Sequence, residues 1–414
     1  MSARAAGGGL QNRSPVRAAD QPLTAFEHRR VKLIWALLFL SSLPWGNPTR
    51  EIFIPKRFEQ VGTALCLGMA VVLALALNRS LRIRGAGFVW LYAGLVVVAL
   101  LPVLGGWAGL GSLFRAGRFG VALVVMLLLS RYWMRDRDVL LESHLAVMKF
   151  LLVTVGLALA VGLGLNSEGR LFGQIPALEP PQVGQIAGVL AGVSLLLVVS
   201  RVVPARRGLI WCTVGVVFLV LSYTRTAMVA LVVGLLLGVV SLITTSKRAR
   251  AVLTVLLLAG PIIVMLVGPV ADAWFKRGQD DAQFATLTGR TNAWDRVYAF
   301  ERDEWTELFG VGLTDKSIDG LPIDSGMLSV YHEEGMVGVV IVVGILTALV
   351  VSTVFAPPGP RRAVALFLVT YCIVASYTET GVGDMSSYVL SLAIAASLVW
   401  GRSSRSKGPM KVKF

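Results

Sequence analysis

The chain is poor in charge. Of its 414 residues only 15% are Asp, Glu, Lys or Arg, against 55% hydrophobic. A water-soluble globule needs more charge than that to cover its surface, so this class is excluded. Cysteine is scarce too. Cys66, Cys212 and Cys372 lie inside apolar runs and far apart, which excludes a disulfide framework or a thiolate metal site. The histidines are His28, His144 and His332. They form no pair at helical spacing and no His/Cys cluster, so no metal is expected. No Walker loop, dinucleotide fingerprint or G-x-S-x-G elbow occurs. A nucleotide-driven step and a bound cofactor are therefore not expected. No internal repeat occurs either, which argues against the many secondary transporters built from two repeated halves.

What the chain has is long apolar runs. Segments near the length that crosses a bilayer recur at 31–45, 61–78, 86–104, 119–132, 145–165, 183–200, 209–222, 227–244, 252–270, 327–355, 363–376 and 386–400. The runs are continuous rather than alternating, which argues against a β-barrel. The expectation is an all-α polytopic membrane protein of about twelve transmembrane helices. Residues 1–30 read as a cytoplasmic tail with no cleavable signal pattern, 31–401 as one membrane domain, and 402–414 as a basic cytoplasmic tail.

The formal net charge of +15 would suggest nucleic acid in a soluble protein. Here the basic residues sit in every second loop, in "NRSLRIRG", "SRYWMRDRD", "SRVVPARRG", "TTSKRARA" and "PPGPRR". The positive-inside rule puts these loops and both termini in the cytoplasm, and no nucleic acid is expected. The intervening loops then face outward. The long one, 271–326, is expected to carry function and short helices.

The outward charges are few. Arg225 stands alone between apolar runs in "VFLVLSYTRTAMVALVVG". An arginine at membrane depth costs about 2.5–3.5 kcal/mol on insertion scales. Either it snorkels to lipid phosphate, or its planar fork faces an internal anionic ligand. Arg290 follows a glycine in "TLTGRTNAWDRV". Asp324, His332, Glu333 and Glu334 stand at the mouth of the tenth apolar run, where the glutamates also read as ordinary solvated charge at a span end. His332 is the one outward histidine, so an imidazole base at that face would have to be this one.

The order "SYTRTAMVAL", "LTGRTNAW", "LFGVGL" and "DSGMLSVYHEEGMVG" resembles the O-antigen ligase and polymerase superfamily of bacterial envelope glycosyltransferases. The upstream "EGRLFGQIPALEPPQVGQIAGVL" fits the family's glycine-arginine loop and proline-containing helix start, so the resemblance covers roughly 169–338. It implies a GT-C-type enzyme in the bacterial inner membrane that takes a glycan from undecaprenyl pyrophosphate at the periplasmic face. A ligase passes the glycan to lipid A-core, and a polymerase passes it to another lipid-linked repeat. Both are metal-independent and inverting. Arg225 and Arg290, with Arg170 as a third, are the expected pyrophosphate ligands.

The chain departs from the ligase motif at one position. That motif reads His, then Asn, Ser or Gln, nine residues, Gly, two residues, Gly. The matching residues here are Asp324, Ser325, Gly335 and Gly338, so Asp324 stands where the histidine is expected. His332 lies about 12 Å further along if the segment is helical. Both stand as candidate bases. Arg115, Arg118, Glu379 and Asp384 are possible substrate contacts, with interfacial anchoring the simpler account of the two arginines. Lys276 and Arg277 read as solvated loop charge or as an acceptor contact. A transporter or flippase holding the same anionic head group is the other functional class, and its expected mid-span charges are nearly missing.

Overall fold

The computed structural model describes residues 23–46, 51–52, 54–81, 83, 86–133, 138–276, 290–314, 316–400, 410 and 412. Arg277, Asp280, Asp281 and the first residues of the "TLTGR" motif lie outside that range, as do residues 1–22 and most of 401–414.

Every apolar run falls on a helix. In chain order they are α1 (Ala25–Ser41), α2 (Lys56–Leu77), α3 (Gly87–Leu104), α4 (Leu110–Leu129), α5 (Val139–Ala160), α6 (Pro180–Val199), α7 (Ala205–Ser222), α8 (Arg225–Leu242) and α9 (Lys247–Lys276). Two short helices follow, α10 (Arg290–Ala299) and α11 (Glu304–Phe309), then a hairpin of β1 (Ser317–Ile318) and β2 (Leu321–Pro322). The chain closes with α12 (Gly326–Phe355), α13 (Pro360–Ala375) and α14 (Ser387–Val399). Among the described residues, 8 helices are long and apolar enough to cross a membrane. In hydrocarbon a spanning segment must satisfy its own backbone polar groups, which is why apolar runs of this length become helices. The protein is an all-α polytopic membrane protein whose long loop bears short helices, as expected.

One boundary differs. The fourth run was expected to start at 119, yet α4 begins at Leu110 and carries Arg115 and Arg118 inside it. Arginine is a good helix former, so the two do not end the helix; both are half-buried and lie in the field of Asp384.

α6 is the most enclosed of these 8 helices, with 89% of its apolar window buried. Its stripe of Gly184, Gly188 and Gly192 lets neighbours approach the backbone. A Cβ on Gly188 would stand 2.7 Å from the Tyr371 hydroxyl, one on Gly184 would stand 2.6 Å from Thr224 Cβ, and one on Gly192 would meet Phe367. Small residues serve this purpose in membranes, where packing rather than water exclusion holds helices together. α7, α8 and α13 pack around α6, and large apolar side chains such as Val232, Leu236 and Val240 on α8 face outward.

The loops sort into two ends as their charges predict. At one end Asp138, before α5, accepts from Arg361 of α13 at 2.9 and 3.3 Å. There too Arg131 donates to the Leu77 carbonyl at 3.2 Å, and Ser246 to the Val199 carbonyl at 3.1 Å. These connections are the basic ones. The others meet at the opposite end.

α12 breaks at Gly335, whose φ of 66° and ψ of −167° are open essentially to glycine alone. The break strips the His332 and Glu333 carbonyls of helical partners. The "LFGVGL" loop replaces them: Val311 N–H donates to the His332 carbonyl at 3.0 Å and Gly312 N–H to the Glu333 carbonyl at 2.9 Å. Side chains would block this contact, since a Cβ on Gly310 would meet the Glu333 backbone and one on Gly335 the Leu308 carbonyl.

Candidate active site

Several connections at the second end hold the charged side chains. α7 and α8 are joined by Tyr223, in left-handed backbone (φ 50°), and Thr224. Tyr223 stacks on Trp274 of α9 at 5.8 Å. Thr224 donates its hydroxyl to the Pro180 carbonyl at 3.0 Å, pinning the turn to the start of α6. Arg225 therefore begins α8 at a fixed height, and one of its terminal nitrogens donates to the Lys276 carbonyl at 3.2 Å. Next to it, Thr226 shares a short hydrogen bond with Thr378 of the loop between α13 and α14.

That loop carries Glu379. It is also tied to α12, through the Gly326 N–H on the Ser376 carbonyl at 2.7 Å, and to α10, through Trp294 edge-on to Tyr377 at 5.7 Å. α10 is held in turn by Val297, which packs with Ile318 and Ile323 in a small core of its own. Arg296 of α10 pairs with Asp319 in the hairpin at 3.1 Å. These contacts aim Arg290, the first residue of α10, between two carboxylates. Its Nε donates to Asp324 at 3.2 Å, and a terminal nitrogen donates to Glu379 at 3.4 Å.

Arg170 completes the cluster from the α5–α6 loop. Its Nε donates to the Ser222 carbonyl at 3.3 Å, and its terminal nitrogen stands 3.8 Å from Glu168. Its charge acts on Glu379 and Arg290, and Arg225 lies in the field of both Arg170 and Arg290. Burial lowers the Arg170 pKa from its ordinary value, with Glu168 and Glu379 pulling the other way. Burial pushes the Glu379 carboxyl up to about 7, although Arg290 opposes the rise. Three guanidiniums thus share one site with two carboxylates. Arranged so, they suit a multiply charged anion such as a pyrophosphate, which planar forks grip well.

His332 is elsewhere. It is 5% exposed, lies edge-on to Phe300 at 5.7 Å, and sits in the field of Arg302. Nothing bonds it to Arg290, Asp324 or Glu379 among the described residues. Arg302 also lies over the Tyr331 ring at 4.6 Å.

A second cluster lies beyond it along α12. Lys316 pairs with Asp384 at 2.9 Å, and Glu333 accepts from Thr314 N–H at 2.8 Å and its hydroxyl at 3.2 Å. Burial works against the Lys316 charge, but Asp384 and Glu333 more than offset it, so its pKa is raised. Burial would raise Asp384, but Lys316, with Arg118 and Arg115 behind it, holds it below the usual carboxylate range. Glu334 is fully buried against Gly338 and Gly383. Lys316 was not singled out from sequence. Its signal is that of the one lysine in the stretch 303–324, among Asp303, Glu304, Glu307, Asp319 and Asp324.

Residues 208–343 match the family described as O-antigen ligase. The match supports the O-antigen ligase superfamily. It runs from α7 to the middle of α12 and so includes Arg225, Arg290, Asp324 and His332. Arg170 and Glu379, which complete the cluster, fall outside it. No curated protein matches the chain. The family points to a membrane glycosyltransferase-like enzyme, to lipid-linked glycans as its substrate class, and to a multi-pass bacterial membrane protein. Among the described residues no group of His, Cys, Asp and Glu is arranged to hold a metal.

Proposed function

We propose that this chain is an inverting, metal-independent glycosyltransferase of the O-antigen ligase type. It moves a glycan from undecaprenyl pyrophosphate to lipid A-core at the periplasmic face of the inner membrane. The observation that carries the proposal is the convergence of Arg170, Arg225 and Arg290 at the end of the bundle opposite the basic loops. The positive-inside rule assigns the basic end to the cytoplasm and hence this end to the periplasm.

The donor already contains a good leaving group. An acceptor hydroxyl oxygen attacks the anomeric carbon as the carbon–oxygen bond to phosphate breaks. The electron pair departs with the pyrophosphate, and the fixed guanidiniums offset the growing charge without reorganising. The hydroxyl proton passes to a carboxylate held at Arg290. Arg290 is itself bonded to Asp324, which stands where the ligase motif has histidine. His332 sits against Phe300 and, among the described residues, makes no hydrogen bond to Arg170, Arg225 or Arg290.

That same substitution of Asp324 for histidine favours a second reading, a polymerase that passes the glycan to another lipid-linked repeat. One assay separates the two. Purified protein is incubated with undecaprenyl-pyrophosphate-linked glycan, with and without lipid A-core, and products are resolved on a gel. Glycan on lipid A-core supports the ligase, and lengthening without lipid A-core supports the polymerase. Bound donor with no covalent product in either tube would leave a transporter.

A further inference from the structure

Two carboxylates share Arg290, and they are not alike. Asp324 takes the Nε hydrogen bond at 3.2 Å and its side chain is 38% exposed. Glu379 takes the longer contact, 3.4 Å from a terminal nitrogen, with its side chain 16% exposed. Its second oxygen has no hydrogen-bond partner among the described residues. The loop bearing Glu379 is fastened to α8, α10 and α12 through Thr378, Tyr377 and Ser376. A carboxylate so placed is held from several sides, largely dehydrated, bonded to Arg290 and in the field of Arg170.

We infer that Glu379 is the general base that takes the acceptor hydroxyl proton, while Asp324 holds the Arg290 fork in position. This rests on the transferase reading above. In the step, the acceptor O–H bond breaks and its proton goes to Glu379. The oxygen forms the new bond to the anomeric carbon, and the old carbon–oxygen bond leaves its electrons on the pyrophosphate. Nothing is oxidised or reduced. Efficient bases have proton affinities near the working pH. Glu379 meets this condition because burial raises its carboxyl to about 7, with Arg290 and Arg170 pulling down and Asp324 pushing up. Its charge also acts on Tyr371 of α13 and Tyr388 of α14, beside which Cys372 lies.

The test measures transfer rate against pH, with donor binding to the same protein as the second readout. In wild type, kcat/KM should rise about tenfold per pH unit below about 7 and level off above it, because the base works only when deprotonated. Glu379→Gln should lose roughly 100- to 10,000-fold and the rising limb while still binding donor. Glu379→Asp, which keeps the carboxylate on a shorter arm, should recover part of the rate. Asp324→Asn should weaken donor binding and keep the limb. If wild type makes product and Glu379→Gln keeps both rate and limb, the base assignment is overturned alone. If wild type makes no product with either acceptor, the transferase reading falls and takes the base with it.

Discussion

Replacing Arg290 with lysine asks whether charge or shape matters at this site. Arginine reaches Asp324 through Nε and Glu379 through a terminal nitrogen, two directions from one plane. A lysine ammonium ends on a single flexible stem and keeps one of these contacts at a time. The Asp324 side chain is more than a third exposed, so its contact is screened and contributes less than about 1 kcal/mol. The Glu379 contact is mostly buried, and a charge-assisted hydrogen bond of that kind contributes about 1.5–3 kcal/mol. If the misplaced cation loses one charge-assisted hydrogen bond of that size to the departing pyrophosphate, kcat/KM drops roughly 10- to 150-fold. Arg290→Ala should lose more, because the charge goes as well. The assay is glycan transfer by protein matched for membrane insertion and detergent stability. Arg290→Lys with wild-type kcat/KM would refute the reasoning, since charge alone would then suffice.

Three further outcomes are expected. Arg225→Ala and Arg170→Ala should abolish transfer with insertion intact, scored on the same gel beside a membrane-fraction blot, and lysine at either position should restore little. Gly335→Ala should destabilise the protein by roughly 1–3 kcal/mol from backbone strain alone. The contact with the Leu308 carbonyl adds to this, and the melting temperature in detergent reports the sum. His332→Asn should retain most transfer activity, because His332 packs on Phe300 away from the arginines; loss of turnover with normal donor binding would put it back in the chemistry.

Much of the fold was legible because the bilayer imposes one rule on every span. Apolar runs of sufficient length have to be helices, and basic loops mark one end. The start of α4 was not legible. Arg115 and Arg118 look like an edge in sequence, but arginine continues a helix readily, and the Asp384 whose field they share lies more than two hundred residues away. In the site, Arg225 and Arg290 stood out as charges that span packing does not need. The role of Glu379 did not stand out. Its meaning depends on burial and on Arg290 coming from 89 residues earlier in the chain, neither of which has a local signature. The break in α12 was half visible: Gly335 and Gly338 were noted for their spacing, but the backbone geometry that needs Gly335 appears only with the "LFGVGL" loop against it. His332 shows the reverse case. Rarity drew attention to it, whereas its surroundings are Phe300 and Arg302.

The central claim is that the three arginines hold a lipid pyrophosphate. The most direct measurement is equilibrium binding of undecaprenyl pyrophosphate to the purified protein in detergent, with wild type beside Arg225→Ala and Arg290→Ala, and undecaprenyl monophosphate as the comparison ligand. The account predicts that each substitution weakens pyrophosphate binding by roughly tenfold or more, as the loss of charge-assisted hydrogen bonds requires. It also predicts that the monophosphate binds more weakly and is less affected by either substitution. Equal pyrophosphate affinity in all three proteins would contradict it.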